Sequence, residues 1–149
     1  MGDTDFSTDR LLEQASGNQS AMFFVALRWA RDRDGSVDGF ANFVGEQFAN
    51  SWGDMRDAGA RDIARIAGVN FASSADSKFI GLEGDDQRAE ALIEGPDAEW
   101  LVDAGVTLED SDRANELIFA RIAQQIGVRF ESHRDANGLH LIFSRGSRS

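Results

Sequence analysis

Apolar residues recur at helical spacing through the first half of the chain and alternate with polar ones in two later stretches. SAMFFVALRWARDRDG carries Met22, Phe23, Val25, Ala26, Leu27, Trp29 and Ala30, dense enough for a buried helix with Ser20 as its N-cap and Gly35 as its stop. Upstream, residues 3–16 predict a shorter helix opened by Thr8 or Asp9, with a break over Gly17–Ser20 between the two. SVDGFANFVGEQFANSW predicts a helix capped by Ser36, in which Phe40, Phe43, Val44, Gln47, Phe48 and Ser51 follow the spacing of one inward face. A further helix is expected from Asp54, with Met55, Ala58, Ile63, Ile66 and Ala67 inward and Gly68 at its end.

The pattern changes after Gly68. KFIGLEGDDQRAEALIEGP reads as two short strands around the turn EGDD, and DAEWLVDAG as a short helix or turn. LEDSDRANELIFARIAQQIG is the strongest helix. Acidic residues favour its N-terminus, Leu117, Ile118, Ile122 and Ile126 form an apolar stripe, and Gly127 stops it. VRFESHRDANGLHLIFSR alternates on both sides of Asn137-Gly138, which predicts a second hairpin. The order helices, hairpin, helix, hairpin makes an α+β domain with a small antiparallel sheet packed on helices. Residues 1–19 read as a helical extension, 20–145 as a single α+β domain of ligand-binding type, and 146–149 as a tail.

Composition narrows the function. The chain has 149 residues, 42% of them hydrophobic, enough for one core. It has no apolar run of membrane-spanning length, and MGDTDFSTDRLLEQ lacks the basic and apolar regions of a signal peptide, so a cytoplasmic protein is expected. Phe6 also breaks the myristoylation pattern. The absence of cysteine excludes disulfides, thiolate metal sites and a cysteine nucleophile. Tyrosine is absent as well, and Lys78 is the sole lysine. A net charge of −11 opposes nucleic acid and anionic membranes, so neither is expected as a partner. The acidic, arginine-rich balance also suits a halophile.

Four features offer chemistry. In ARDRDGSVDGFA, Asp32 and Asp34 precede Gly35 as in an EF-hand loop. The first and twelfth positions, however, fall on Ala30 and Ala41, so the stretch reads as a helix–helix turn. His133 and His140 are the only histidines. They pair directly if the loop runs from Asp135 to Gly138; with Asn137-Gly138 as the loop, His133 faces Ile142. Either register puts both on the face opposite Phe130, Leu141 and Phe143, together with Glu131. A site of two histidines and one carboxylate is conceivable there. A solvent-facing or interface pair is the simpler reading, and no metal ligands are assigned. Trp29, Trp52 and Trp100 lie in separate segments, and Phe23, Phe24, Phe40, Phe43 and Phe48 add aromatic bulk to the helical half. Aromatics fill cores, but with Gly39, Gly45 and Gly53 leaving room they also suit a pocket for an apolar ligand. Phe43, Phe48, Trp52 and Trp29 are its expected lining. Arg56, with Arg28 and Arg61, is the candidate anchor for an acidic group. Glu46 and Glu90, flanked by core-like residues, are the best acid–base candidates. Walker and GxGxxG motifs are absent, and no cofactor is assigned.

From FVGEQFANSW through ARDIARIAG, EALIEGP and ELIFARIAQQIG to VRFESHRDANGLHLIFSR, about residues 43–145, the chain resembles two families. These are the hydrocarbon-binding domains of the four-vinyl-reductase type and the L-2-amino-thiazoline-4-carboxylic acid hydrolase-like family. The resemblance implies a small-molecule pocket and a homodimer. Members often carry a cysteine near the end of the second strand, where this chain has Gly95-Pro96, so a thiol-dependent role is not carried over. The expected function is a domain that binds a partly hydrophobic organic ligand. The alternatives are a small enzyme using carboxylate or histidine acid–base chemistry and a scaffolding subunit without ligand.

Overall fold

The computed structural model describes residues 6–146. The first five residues of the expected extension and the last three of the expected tail lie outside them. Five helices, α1 (Thr8–Asp34), α2 (Asp38–Ser51), α3 (Ala60–Ala72), α4 (Ala98–Ala104) and α5 (Leu108–Ile126), accompany four strands, β1 (Lys78–Gly84), β2 (Arg88–Glu94), β3 (Arg129–Asp135) and β4 (Gly138–Ser144). The two hairpins join through their second strands into one antiparallel sheet of order β1-β2-β4-β3. Its inner face, with Ala89, Ala91, Ile93, Leu139, Leu141 and Phe143 buried, packs on α3 and α5. This is the α+β architecture that the order of patterns predicts. No helix among the described residues is long and apolar enough to cross a membrane.

Helix α1 runs unbroken through Gly17–Ser20, and its N-cap is Ser7, whose hydroxyl accepts from Arg10 N–H. One glycine costs a helix only about 1 kcal/mol, and good helix formers on both sides propagate across it. The expected boundary at residue 20 therefore falls inside a helix. Ser20 caps nothing. It sits on the buried row Ser20, Phe24, Leu27 and Ala30. The turn after α1 is the helix–helix turn read from sequence, but Ser36 is not the cap of α2: the N-cap is Val37, with no side-chain cap bond. Gly35 takes φ +80°, its N–H bonds to Arg31 O, and the Ser36 hydroxyl accepts from Asp38 N–H at 3.1 Å. Asp32 pairs with Arg28 at 2.6 Å, and Asp38 with Arg113 at 3.0 Å.

Helix α2 departs in part from the expected face: Phe40 and Val44 pack against the core as expected, but the rest of that row does not. Its buried residues are Ala41, Gly45 and Ala49, whereas Phe43 and Phe48 are 62% and 54% exposed. Both rows keep helical spacing, and close approach to α5 selects the small one. A Cβ on Gly45 would lie 2.9 Å from Arg121 Cβ and 3.1 Å from Ile118 Cα. Helix α3 begins at Ala60, after a 3-10 turn at Gly53–Met55, and continues past Gly68, where a Cβ would strike the Phe79 ring at 2.6 Å. In α5 the Thr107 hydroxyl caps the start, Ile118, Ile122 and Ile126 are buried, and Gly127 closes the end at φ +74°. The Arg145 guanidinium then donates to the carbonyls of Met55, Ala58 and Ile126, tying the end of β4 to the loop before α3 and to the end of α5.

Two glycine substitutions on α2 separate helix propensity from packing. Gly39 has open space around it, so Gly39→Ala should raise stability by about 0.5–1 kcal/mol. Gly45→Ala should instead lower it by about 1–3 kcal/mol, because Arg121 Cβ and the α5 backbone must shift. Urea midpoints check both. A stabilising Gly45→Ala would mean that the two helices are not in close contact there.

Candidate functional site

A cavity of about 510 Å³ opens between α1, α2, α3, α5 and the ends of β2 and β4. One wall is aromatic. Phe119 on α5 meets Trp52 edge-on, at a ring-centre distance of 6.2 Å, and stacks on Phe71 at 5.8 Å. Phe23 and Phe24 from α1 and Ile118 and Ile122 from α5 extend this wall, and Phe48 stands partly exposed beside it. Apolar walls with a few placed polar groups characterise small-molecule pockets of several hundred Å³.

The other wall is polar and centred on Asp76, which is 8% exposed. The Ser20 hydroxyl donates to Asp76 Oδ1 and the Ser77 hydroxyl to Oδ2 at 2.7 Å. Ser20 Oγ also accepts from Ala75 N–H at 3.0 Å, so one hydroxyl serves both neighbours. Among the described residues no cationic group lies within ion-pair distance of Asp76. Ser111, Asp112 and Asn115 face the same space from α5. Asp112 is neutralised by Arg134 of β3 at 2.6 Å, a contact that also fixes the hairpin against α5. Bare charge in the cavity wall therefore belongs to Asp76, and the site is suited to hydrogen-bond donors and cations.

A larger groove of about 840 Å³ lies between the α1–α2 turn, the start of α5 and the β3–β4 tip. It is broad and open. Its charges satisfy one another, with Arg31 at 3.2 Å from Asp110 and Arg113 at 3.0 Å from Asp38. The Arg113 guanidinium holds the Asp38 carboxyl below its usual range. Paired groups of this kind leave little to recognise a ligand.

Of the residues expected to line a pocket, Phe48 and Trp52 border the cavity, and Phe43, Trp29 and Arg56 do not. Trp29 is 58% exposed beneath the Arg33 guanidinium, on the side of α1 opposite Leu27 and Ala30. Arg56 is exposed on the turn before α3. Arg28 reaches Asp32 and Ala104 O, and Arg61 reaches Gly84 O, so none of the three candidate arginines enters the cavity. Glu46 sits 3.7 Å from Arg121, and Glu90 bonds to His140. The polar wall went unanticipated, yet a signal for it exists. Ser20 shares a helical row with Phe24 and Leu27, and Ser111 shares one with Ala114, Ile118 and Ile122. A serine on an otherwise apolar face marks a buried polar contact.

Comparison with family models, curated proteins and solved structures gives no match to this chain. The site is therefore read from its own residues.

The Ser20 contact has a measurable cost. Ser20→Ala removes the donor to one Asp76 oxygen and leaves the Ala75 N–H with only the longer contact to Ser16 O at 3.4 Å, and should destabilise by about 1–3 kcal/mol. Ser16→Ala, one turn earlier on the same helix, should stay within about 0.5 kcal/mol of the parent. Thermal and urea unfolding of the two variants make the comparison. Equal effects would mean that Asp76 does not depend on Ser20.

Proposed function

We propose that the protein is a small-molecule-binding domain. Its ligand is a partly apolar organic molecule whose polar end donates hydrogen bonds, as an amine or hydroxyl does. The carrying observation is one space of about 510 Å³ that joins an aromatic wall to the Asp76 carboxylate, with no arginine, lysine or histidine in the lining. A ligand with an acidic head would meet Asp76 and lose affinity by like-charge contact. The resemblance of EALIEGP and IAQQIGVRFE to the hydrocarbon-binding domains supports the same class of pocket.

Trp52 is the only tryptophan bordering the cavity, which makes its fluorescence a reporter. An arylalkyl amine should quench it saturably, and the carboxylate of the same skeleton should bind about tenfold or more weakly, a difference of about 1.4 kcal/mol. Asn115→Phe, which fills the space from α5, should abolish quenching by both. If the amine does not quench, or if Asn115→Phe binds as well as the parent, the ligand reading falls and a scaffolding subunit takes its place.

The buried position of Asp76 at the edge of an aromatic space also favours a second reading, in which this carboxylate exchanges a proton with the bound molecule as an acid–base catalyst. Conversion of a bound ligand that stops in Asp76→Asn while binding persists would distinguish an enzyme from a binding module. We further propose a homodimer, with Val25 and Trp29 of α1, and Met22 at the cavity's edge, as its contact, since these are 59%, 58% and 71% exposed in the single chain. Sedimentation of Val25→Glu/Trp29→Glu against the parent tests that assignment. An unchanged mass would reject it.

A further inference from the structure

The outer face of the sheet carries a second cluster, unconnected with the cavity. Strands β3 and β4 pair Asp135 with Gly138 and His133 with His140, so both histidines and Asp135 project from this face near the hairpin tip. The two imidazoles stack, with ring centres 4.4 Å apart and planes 8° from parallel. One ligand atom from each of His133, Asp135 and His140 lies within 4.8 Å of the other two. Glu131, the carboxylate expected from the alternation, is not in this set. Asp135, a strand residue at the turn, replaces it.

His140 shows what the cluster is arranged for. Its side chain is only 12% exposed, and its Nδ1 bonds to the Glu90 carboxylate from the neighbouring strand β2. In the neutral ring, a carboxylate on Nδ1 holds the proton there and leaves the Nε2 lone pair free. That Nε2 is buried and has no aligned hydrogen-bond partner, although Asp135 Oδ2 is 2.9 Å away. A bare lone pair facing a carboxylate oxygen is repulsive, and the contact is satisfied either by a proton, as in an imidazolium held between Glu90 and Asp135, or by a metal ion that displaces that proton. Two donors bound to one tetrahedral zinc at about 2.0–2.2 Å stand roughly 3.4 Å apart, a spacing that falls between the 2.9 Å of the His140–Asp135 contact and the 4.8 Å that bounds the set.

We propose that His133, Asp135 and His140 bind a divalent transition cation of the Zn²⁺ class, with Glu90 as the positioning residue behind His140. The chemistry suits borderline nitrogen and oxygen donors. Glu90 supplies the outer carboxylate that ligating histidines ordinarily have. His133 is exposed and free to turn out of its stack, so that a ring nitrogen points at the ion. Three protein ligands on a tetrahedral ion leave one position for water or another small ligand. The site would also pin the β3–β4 tip, since His133 and Asp135 belong to one strand and His140 to the other.

The test uses the untagged full chain, stripped with chelator, and Zn²⁺ alone as the probe, followed by calorimetry and by NMR of the histidine rings. Binding of one Zn²⁺ per chain with a dissociation constant below about 10 µM is expected. Both histidine ring signals should shift together. His133→Gln and Asp135→Asn, at exposed positions, should each weaken binding by about tenfold or more, the lower end of what a disturbed metal shell costs. Glu90→Gln should weaken it by about 10–100-fold while both ring signals still respond to saturating Zn²⁺, and Glu90→Asp should restore part of the loss. Binding weaker than about 100 µM would overturn the site. So would equal binding by His133→Gln, which would assign the metal to scattered surface carboxylates.

Discussion

The close contact between α2 and α5 sets the rest of the structure. Ala41, Gly45 and Ala49 let α2 lie against α5 with almost no side chain between them at Gly45. That contact rotates α2 so that Phe43 and Phe48 point elsewhere, while Phe40 packs against the core. Phe43 turns to solvent, and Phe48 and Trp52 come to the edge of the space that α1, α3 and α5 leave open. Had the large row packed inward, the bulk of Phe43 and Phe48 would have held α2 away from α5. The cavity thus follows from a seam of small residues rather than from a deficit of large ones.

The second determinant is a polar contact over long sequence separation. Ser20 and Asp76 are 56 residues apart, and their bond joins the middle of α1 to the segment entering β1. It satisfies a carboxylate that would otherwise be costly to bury, and it places that carboxylate on the cavity wall. Architecture and recognition therefore share a residue. In the proposed binding function the aromatic wall would supply non-directional affinity, and Asp76 direction and sign of charge. The Arg134–Asp112 pair keeps the one other acidic group in the wall neutralised.

Much of this fold was legible in the sequence. Turn residues and alternation place both hairpins, Gly35 and Gly127 stop their helices, and the stripe of α5 is buried as its spacing requires. One of the two hairpin registers considered, the one pairing His133 with His140, is observed. Three features were not legible. The face of α2 was ambiguous because large and small rows share one period, and weight of hydrophobicity favours the large one. The run GNQS looked like a break because Ser is a good cap, but propagation from both sides outweighed it. The Asp76 wall was signalled only by Ser20 and Ser111 on apolar helical rows, and the partner of Ser20, Asp76, is set by a tertiary contact that no local pattern encodes. Likewise, strand alternation brought Glu131 to the histidines, whereas the turn geometry delivers Asp135.

The central claim is that the space beside Trp52 and Phe119 is a real void able to admit an apolar guest. Apolar cavities in folded proteins take up xenon, so diffraction from crystals held under xenon pressure tests it most directly. The account predicts xenon density in van der Waals contact with the Trp52 and Phe119 rings, on the aromatic side of Asp76. A space filled by the side chains of Phe23 or Phe48, with no xenon in it, would contradict the account.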